Sequence, residues 1–343
     1  MSLPPDPLLN PGAVERIRFR VPDAEAGTRV DVFLRDRLPW RSRTGVQRLI
    51  REGKVAAVRG SIETTFRSPS DRVPAAGEVV LAVPQPRSGV APPRPIDLSI
   101  VYEDEWLLAV DKPANLPVHP SGRYLYDTLI FALYRRYRRP EDPGRDIKPR
   151  LLHRIDRETS GLVLCSKDER AHLLLYRQFE GREIFKEYLA LVHGEPLEEE
   201  GTIDLPLAPS GGPIRVKMVV RADGLPSLTR WRVVRRARGF ALLACEPKTG
   251  RQHQVRAHLA ARGYPIVGDK IYGPDERLFL KALAKELSEE DRARLLLERH
   301  ALHAHRLRFL HPIQGGELEI RAPLPPDMAG FLEGLGERAG APG

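Results

Sequence analysis

Cysteine is nearly absent. The 343 residues contain only Cys165 and Cys245, each inside an apolar run that reads as a buried strand, so two free core thiols are expected and a disulfide framework is not. The spacings of a zinc site are missing as well. There is no CxxC, His253 and His258 stand five apart, and His303 and His305 two apart, whereas a helical zinc pair needs four. This argues against a metal-dependent hydrolase, and no metal is expected. No apolar run approaches the length that spans a bilayer, and Met1-Ser2-Leu3-Pro4-Pro5-Asp6-Pro7 has neither the cationic segment nor the apolar centre of a signal peptide. The expected location is cytoplasmic. Internal repeats and low-complexity stretches are also lacking.

What is plentiful is positive charge. Lys and Arg number 55 against 46 Asp and Glu, a net charge of +9, and the pI is near 9.7. This balance favours a polyanionic partner, nucleic acid first. Arg supplies 45 of the 55 cations, a bias that genome base composition also produces, so charge by itself identifies no partner. Hydrophobic content of 41% and charged content of 29% fit a globular chain long enough for two cores.

Residues 1–26 are Pro-rich and weakly patterned and read as a flexible segment. A small basic α+β module follows over 27–88: a helical pattern from Arg29, a second helix after the cap candidate Ser42, and short strands at 54–58 and 79–83. Nine Lys or Arg face three Asp or Glu between Arg29 and Arg59. Arg43, Gln47 and Arg51 recur every four residues on one face of the second helix, which would meet phosphates, and Arg41, Arg48 and Lys54 extend the cationic set. A stiff Pro-rich linker, 89–96, leads to a larger domain over 97–326, with a Gly-rich tail at 327–343. In the larger domain, strands are expected near 100–102, 106–110, 162–165 and 184–192, with three more within 214–246. Helices are expected at 127–139 and 168–179, the second capped by Asp168, and an amphipathic helical insertion at 275–299. Strands joined by short links imply a mixed, largely antiparallel sheet, so the fold class is α+β.

One stretch carries chemistry. His153-Arg154-Ile155-Asp156-Arg157-Glu158-Thr159-Ser160-Gly161 sets a carboxylate between two arginines, on a turn that Thr159, Ser160 and Gly161 suit, just ahead of the apolar strand Leu162-Val163-Leu164-Cys165. Flanking cations favour the ionised form of Asp156, which suits a nucleophile better than an acid. Taken without companions, the stretch is a turn whose aspartate accepts local backbone hydrogen bonds.

The companions are Phe185-Lys186-Glu187-Tyr188-Leu189-Ala190, Pro247-Lys248-Thr249-Gly250-Arg251-Gln252-His253-Gln254-Val255-Arg256-Ala257-His258-Leu259, Asp111-Lys112-Pro113-Ala114, Pro265-Ile266-Val267-Gly268-Asp269 and Leu302-His303-Ala304. In order and spacing, over roughly residues 95 to 325, the set resembles the pseudouridine synthases of the RluA type. Residues 42–55 look like the small ribosomal-protein-type RNA-binding module that many of these synthases carry, departing from its pattern at Ala56-Ala57-Val58-Arg59-Gly60.

The resemblance implies isomerisation of uridine to pseudouridine in structured RNA, with no cofactor. It makes Asp156 the catalytic carboxylate, Tyr188 the ring that stacks on the base and assists removal of the carbon 5 proton, Arg256 the partner of Asp156, and Val255 the aliphatic contact to the base. It also implies that Arg154 fills the gap left by the flipped nucleotide or binds its phosphate. Arg251 is expected at a phosphate or in a structural contact, and Lys112, in the family's first motif, is counted with Arg154, Val255 and Arg251 among the substrate contacts although that motif reads as more structural than chemical. Helical spacing groups Gln252, Val255, Arg256 and Leu259 on one face. A carboxylate-pair glycosidase would need a second acid near Asp156, and Glu158 sits on a turn facing arginines. Ribosomal RNA is the expected partner, with transfer RNA second. A non-catalytic ribosome-assembly factor on the same fold is the reading from another class.

Overall fold

The computed structural model describes residues 9–38, 43–86, 96–120, 127–139, 142 and 145–336. The backbone divides into two compact units, Met1–Ile96 with His119–Phe131, and Asp97–Val118 with Ala132–Gly343.

In the first unit, β1 (Leu9–Arg20) precedes α1 (Val30–Arg37), α2 (Arg43–Arg51), β2 (Val55–Arg59), β3 (Ile62–Thr65) and β4 (Glu78–Pro86). The strands form an antiparallel sheet in the order β1-β4-β2-β3. Val30, Phe33 and Leu34 of α1 and Val46, Leu49 and Ile50 of α2 recur every three or four residues and share a core with Val55, Val79 and Leu81 of the sheet. Residues 9–20 correct the expectation of a flexible leader over 1–26, since β1 pairs with β4 from Val14↔Pro84 to Arg20↔Glu78. An edge strand needs only one apolar face, here the alternate residues Ile17 and Phe19, which rest on the core. Such a pattern is too short to stand out in sequence. The linker expected at 89–96 lies outside the described residues except for Ile96.

The second unit runs β5 (Ser99–Glu103), β6 (Leu107–Lys112), α3 (Leu129–Tyr137, from Ala132 onward), β7 (Arg150–Leu151), β8 (Ser160–Ser166), α4 (Glu169–Glu180), β9 (Phe185–His193), β10 (Glu200–Asp204), β11 (Leu207–Pro209), β12 (Met218–Val220), β13 (Leu228–Ala237), β14 (Phe240–Pro247), α5 (Gln254–Ala261), α6 (Arg277–Ala284), α7 (Glu289–Leu295), β15 (Leu302–Leu310), β16 (Glu317–Arg321) and α8 (Pro326–Gly334). Ten strands make one sheet in the order β10-β13-β14-β9-β15-β8-β6-β5, with β16 beside β15 and β7 beside β8; β11 and β12 form a separate hairpin. All pairs are antiparallel except β15 with β8. This is the mixed, largely antiparallel sheet the sequence leads one to expect. Asp168 caps α4 by accepting from the Ala171 amide.

Strand β8 is buried along its whole length, as the continuous run 162–165 requires of a strand covered on both faces. Cys165 and Cys245 are buried free thiols, and burial pushes both well above the ordinary thiol range. The helical insertion resolves into α6 and α7, the latter opened by a Ser288 capping box. The expected tail is corrected over 327–334. There Pro326 opens α8, whose Met328 and Leu332 join the main core one helical turn apart. Burying two such side chains stabilises by roughly 1.5–3 kcal/mol each. Among the described residues no helix is long and apolar enough to cross a membrane.

The parallel step between β8 and β15 depends on Gly161. Its φ is +103°, and a Cβ there would stand 2.2 Å from the Ala304 carbonyl oxygen. Gly315 also has a positive φ, +70°, but a Cβ there would meet nothing within 4 Å. Gly315→Ala is therefore expected to cost about 1 kcal/mol, the left-handed penalty alone, and Gly161→Ala about 3 kcal/mol or more, because backbone must also move. Urea midpoints of the two variants check this; equal losses would contradict it.

Candidate active site

The turn before β8 is held from behind. The Thr159 amide donates to the Asp156 carbonyl at 3.2 Å, and the Lys112 ammonium, at the end of β6, donates to the carbonyls of Pro113, Leu116 and Arg157 at 2.9, 2.9 and 3.1 Å. Lys112 is fully buried. Burial, and then the charge of Arg299, push its pKa down to about 7. Lys112, counted among the substrate contacts from the sequence, spends its three donors on backbone carbonyls, where they fix the turn. The next side chains alternate. His153 accepts from the Leu164 amide at 3.0 Å, Arg154 is exposed, Ile155 is buried and Asp156 is half-buried.

Asp156 meets a guanidinium that is itself held in a fork. Arg256, on α5 and 4% exposed, donates from Nε and Nη2 to the two oxygens of Asp269 at 2.7 and 2.9 Å and from Nη1 to Asp156 Oδ2 at 2.9 Å. Asp269 is completely buried and also accepts from the amides of Ile271 and Tyr272 at 2.9 and 3.0 Å. Burial opposes ionisation of both carboxylates, but the Arg256 charge outweighs it and holds both below the ordinary carboxylate range. Asp269 saturates one edge of the fork; Asp156, with 28% of its side chain exposed, is the ionised group that a ligand can reach.

Strand register brings in the tyrosine. Tyr188 of β9 is opposite Ala304 of β15, and Ala304 is opposite Gly161 of β8, so Tyr188 lies level with the turn that carries Asp156. Burial, then the Asp156 charge, push its phenol well above the ordinary range, so its proton stays on. Val255 is buried in the core against which Tyr188 rests. The structure thus brings together Asp156, Tyr188, Val255 and Arg256 from a turn, a strand and a helix.

The helix itself begins later than the spacing predicts. His253 caps α5 in a left-handed conformation, φ 54°, so Gln252 is off the helical face and instead donates to the Val216 carbonyl at 3.3 Å. Gln254 is buried in its place, donating to the Leu228 carbonyl and Thr229 Oγ1 at 2.9 and 3.0 Å. Arg251 is half-buried and reaches the Pro226 carbonyl at 3.4 Å. Sequence reasoning also missed the grip of Asp269 on Arg256, although the run ending Gly268-Asp269 was visible, and Tyr272, for which the sequence carries no signal. Glu158 is no second acid for Asp156, being bound to Lys270 and Arg157, each at 3.1 Å. Among the described residues no three His, Cys, Asp or Glu side chains converge as metal ligands would.

In the first unit, Arg41 lies outside the described residues. Arg43, Arg48 and Arg51 are exposed and Lys54 half-buried, but the α2 face is less open than expected: Gln47 turns inward to donate to buried Asp31 at 3.0 Å, and Glu52 faces both Arg48 at 3.9 Å and Lys54 at 2.7 Å.

The comparisons with known proteins agree with this geometry. A family model described as RNA pseudouridylate synthase matches residues 106–261. The chain is 32% identical over 323 residues to an uncharacterized RNA pseudouridine synthase of Bacillus subtilis, covering 94% of this chain and 99% of the relative. It is 35% identical over 319 residues to a ribosomal large subunit pseudouridine synthase D of Xanthomonas campestris, covering 92% of each. Among solved structures, human RNA pseudouridylate synthase domain containing 4 aligns with a TM-score of 0.54 at 27% identity, covering 69% of this chain and 92% of the other.

Two buried histidines beside the site make stability depend on pH. His300 bonds Thr159 Oγ1 at 2.7 Å and His303 bonds Ser160 Oγ at 2.9 Å. Burial pushes their pKa values down to about 3 and about 4, so the folded chain holds them neutral while the unfolded chain protonates them near 6.5. Their stabilising contribution is complete above that unfolded value and is lost as pH falls toward 4. Between pH 7 and 5 each is expected to cost on the order of 1–2 kcal/mol. Urea unfolding at the two pH values checks this, with His300→Asn shrinking the difference; a pH-independent midpoint would contradict it.

Proposed function

Since the chain belongs to the RNA pseudouridine synthase family, and is thereby an isomerase of uridine in RNA, we propose that its substrate is large-subunit ribosomal RNA and that Asp156 is its reacting carboxylate. The reaction breaks the bond from uracil N1 to the ribose anomeric carbon, forms one from carbon 5, removes the carbon 5 proton and returns a proton to N1. Atoms and electrons balance without a cofactor. The site must supply an ionised group for the detached fragment, a base for one proton, and walls that retain the loosened uracil.

The observation that carries the reading is the two-sided grip of Arg256. A guanidinium buried between Asp269 and Asp156 holds the second carboxylate ionised, aimed and partly open to solvent. A binding module gains nothing from such an arrangement. Tyr188, kept protonated and level with Asp156, supplies a stacking ring and a hydroxyl that can take up the carbon 5 proton only while passing its own proton on, and Val255 the apolar wall. Arg154, exposed beside the carboxylate, is free to enter the stack or take a phosphate when the nucleotide is extruded. Arg251 serves as a further substrate contact at the start of α5. Arg43, Arg48, Arg51 and Lys54 steer RNA from the first unit, a role that predicts binding weakened steeply by salt. Ribosomal RNA is favoured because relatives alignable over about nine-tenths of the chain are named for the ribosomal large subunit.

The test maps new pseudouridines in unmodified total ribosomal and transfer RNA after incubation with wild type and Asp156→Asn. The expected result is new sites in ribosomal RNA with the wild type only, the variant losing at least about a thousandfold in rate while binding RNA as tightly. Sites in transfer RNA alone would overturn the substrate, and an active Asp156→Asn would overturn the role of the carboxylate.

A further inference from the structure

Asp156 has a second neighbour that the quartet leaves out. His253 Nε2 stands 3.8 Å from Asp156 Oδ2, the same oxygen that Arg256 holds. Among the described residues Asp156 Oδ1 accepts no hydrogen bond. The other nitrogen of His253, Nδ1, lies 3.1 Å from the Tyr272 hydroxyl, and that hydroxyl already accepts from the Met218 amide at 2.8 Å. Burial keeps the Tyr272 phenol protonated, so its own hydrogen is available to Nδ1. A neutral imidazole that accepts at Nδ1 carries its hydrogen on Nε2, and His253 is neutral: burial, then the Arg256 charge, push its pKa down to about 4. The ring is also fixed in direction. It meets Tyr272 edge to face at 5.7 Å between centroids and hangs from a backbone at φ 54°, a left-handed conformation that costs a non-glycine residue about 1–2 kcal/mol and is kept where surrounding structure has a use for it.

We propose that His253 is a positioning residue of the reaction: with its hydrogen on Nε2 it shares Asp156 Oδ2 with Arg256, so that Oδ1 is the oxygen presented to the substrate. The inference rests on Asp156 being the reacting carboxylate. A separation of 3.8 Å is longer than a hydrogen bond, and contacts of this kind shorten when substrate expels water and the site closes. Two donors on one oxygen leave the carboxylate a single rotational setting. With Arg256 alone, either oxygen can accept from Nη1. The chain of contacts from Met218 through Tyr272 to His253 therefore acts on Asp156 without touching RNA.

The test measures single-turnover rate constants and RNA dissociation constants for wild type, Asp156→Asn, His253→Ala, His253→Gln, Tyr272→Phe and the double variant Tyr272→Phe/His253→Ala. Wild-type turnover that Asp156→Asn abolishes establishes the underlying reading. Given that, His253→Ala is expected to lose about 10- to 100-fold in rate with RNA affinity unchanged within about twofold. His253→Gln, whose amide nitrogen falls where Nε2 was, should recover most of the loss, which a merely structural role would not allow. Tyr272→Phe should slow the reaction, and the double variant should be no slower than His253→Ala. His253→Ala at the wild-type rate, His253→Gln as slow as His253→Ala, or losses that simply multiply in the double variant would each overturn the proposal while leaving the assignment of Asp156 intact.

Discussion

The second unit is organised around a buried guanidinium. Arg256 has its edge of Nε and Nη2 closed by Asp269 and its remaining nitrogen turned to Asp156. A lone arginine at that depth would be costly, and an aspartate beside it would swing between partners. Asp269 removes both problems. It neutralises the charge, it satisfies the donors in a planar fork that only arginine presents, and it is itself fixed by two backbone amides. What is left over is one directed N–H, and Asp156 takes it.

The fold delivers these groups from remote stretches of chain. Arg256 is carried by a helix whose Val255 and Leu259 lie in the core. Asp156 rides a turn clamped by Lys112 from the neighbouring strand, and Tyr188 is set level with it by strand register across Ala304 and Gly161. The parallel step through Gly161 is the tightest of these constraints, since no side chain fits between the two backbones. The site's precision thus comes from strands and a helix, while the reacting carboxylate sits on the short segment they frame.

Local signals in the sequence predicted well wherever the local pattern was also the three-dimensional cause. The run 162–165 reads as a strand because it is buried on both faces, and Asp168 reads as a cap because the bond it makes is three residues away. Where the cause is distant, reading failed. Taken residue by residue, Arg256 looks like a surface cation, because the carboxylates that bury it are 13 and 100 positions away. Gln252 is given a helical place that His253 cancels by starting α5 from a left-handed cap, and periodicity has no means of signalling that. Strand β1 and helix α8 escaped because each shows a short apolar pattern, Ile17 and Phe19 among the described side chains of β1 and Met328, Phe331 and Leu332 in α8. The quartet at the site was legible only through its resemblance to a family, not through spacing.

The central claim is that Asp269, which no substrate can touch, aims Asp156 through Arg256. The measurement that tests it most directly is the single-turnover rate of Asp269→Asn on RNA that the wild type modifies, alongside RNA affinity and far-ultraviolet circular dichroism. The substitution keeps shape and removes one charge. The account predicts a folded variant that binds RNA as the wild type does but converts it about a hundredfold more slowly, the scale of loss that follows a misplaced reacting group. A folded Asp269→Asn protein working at the wild-type rate would contradict it.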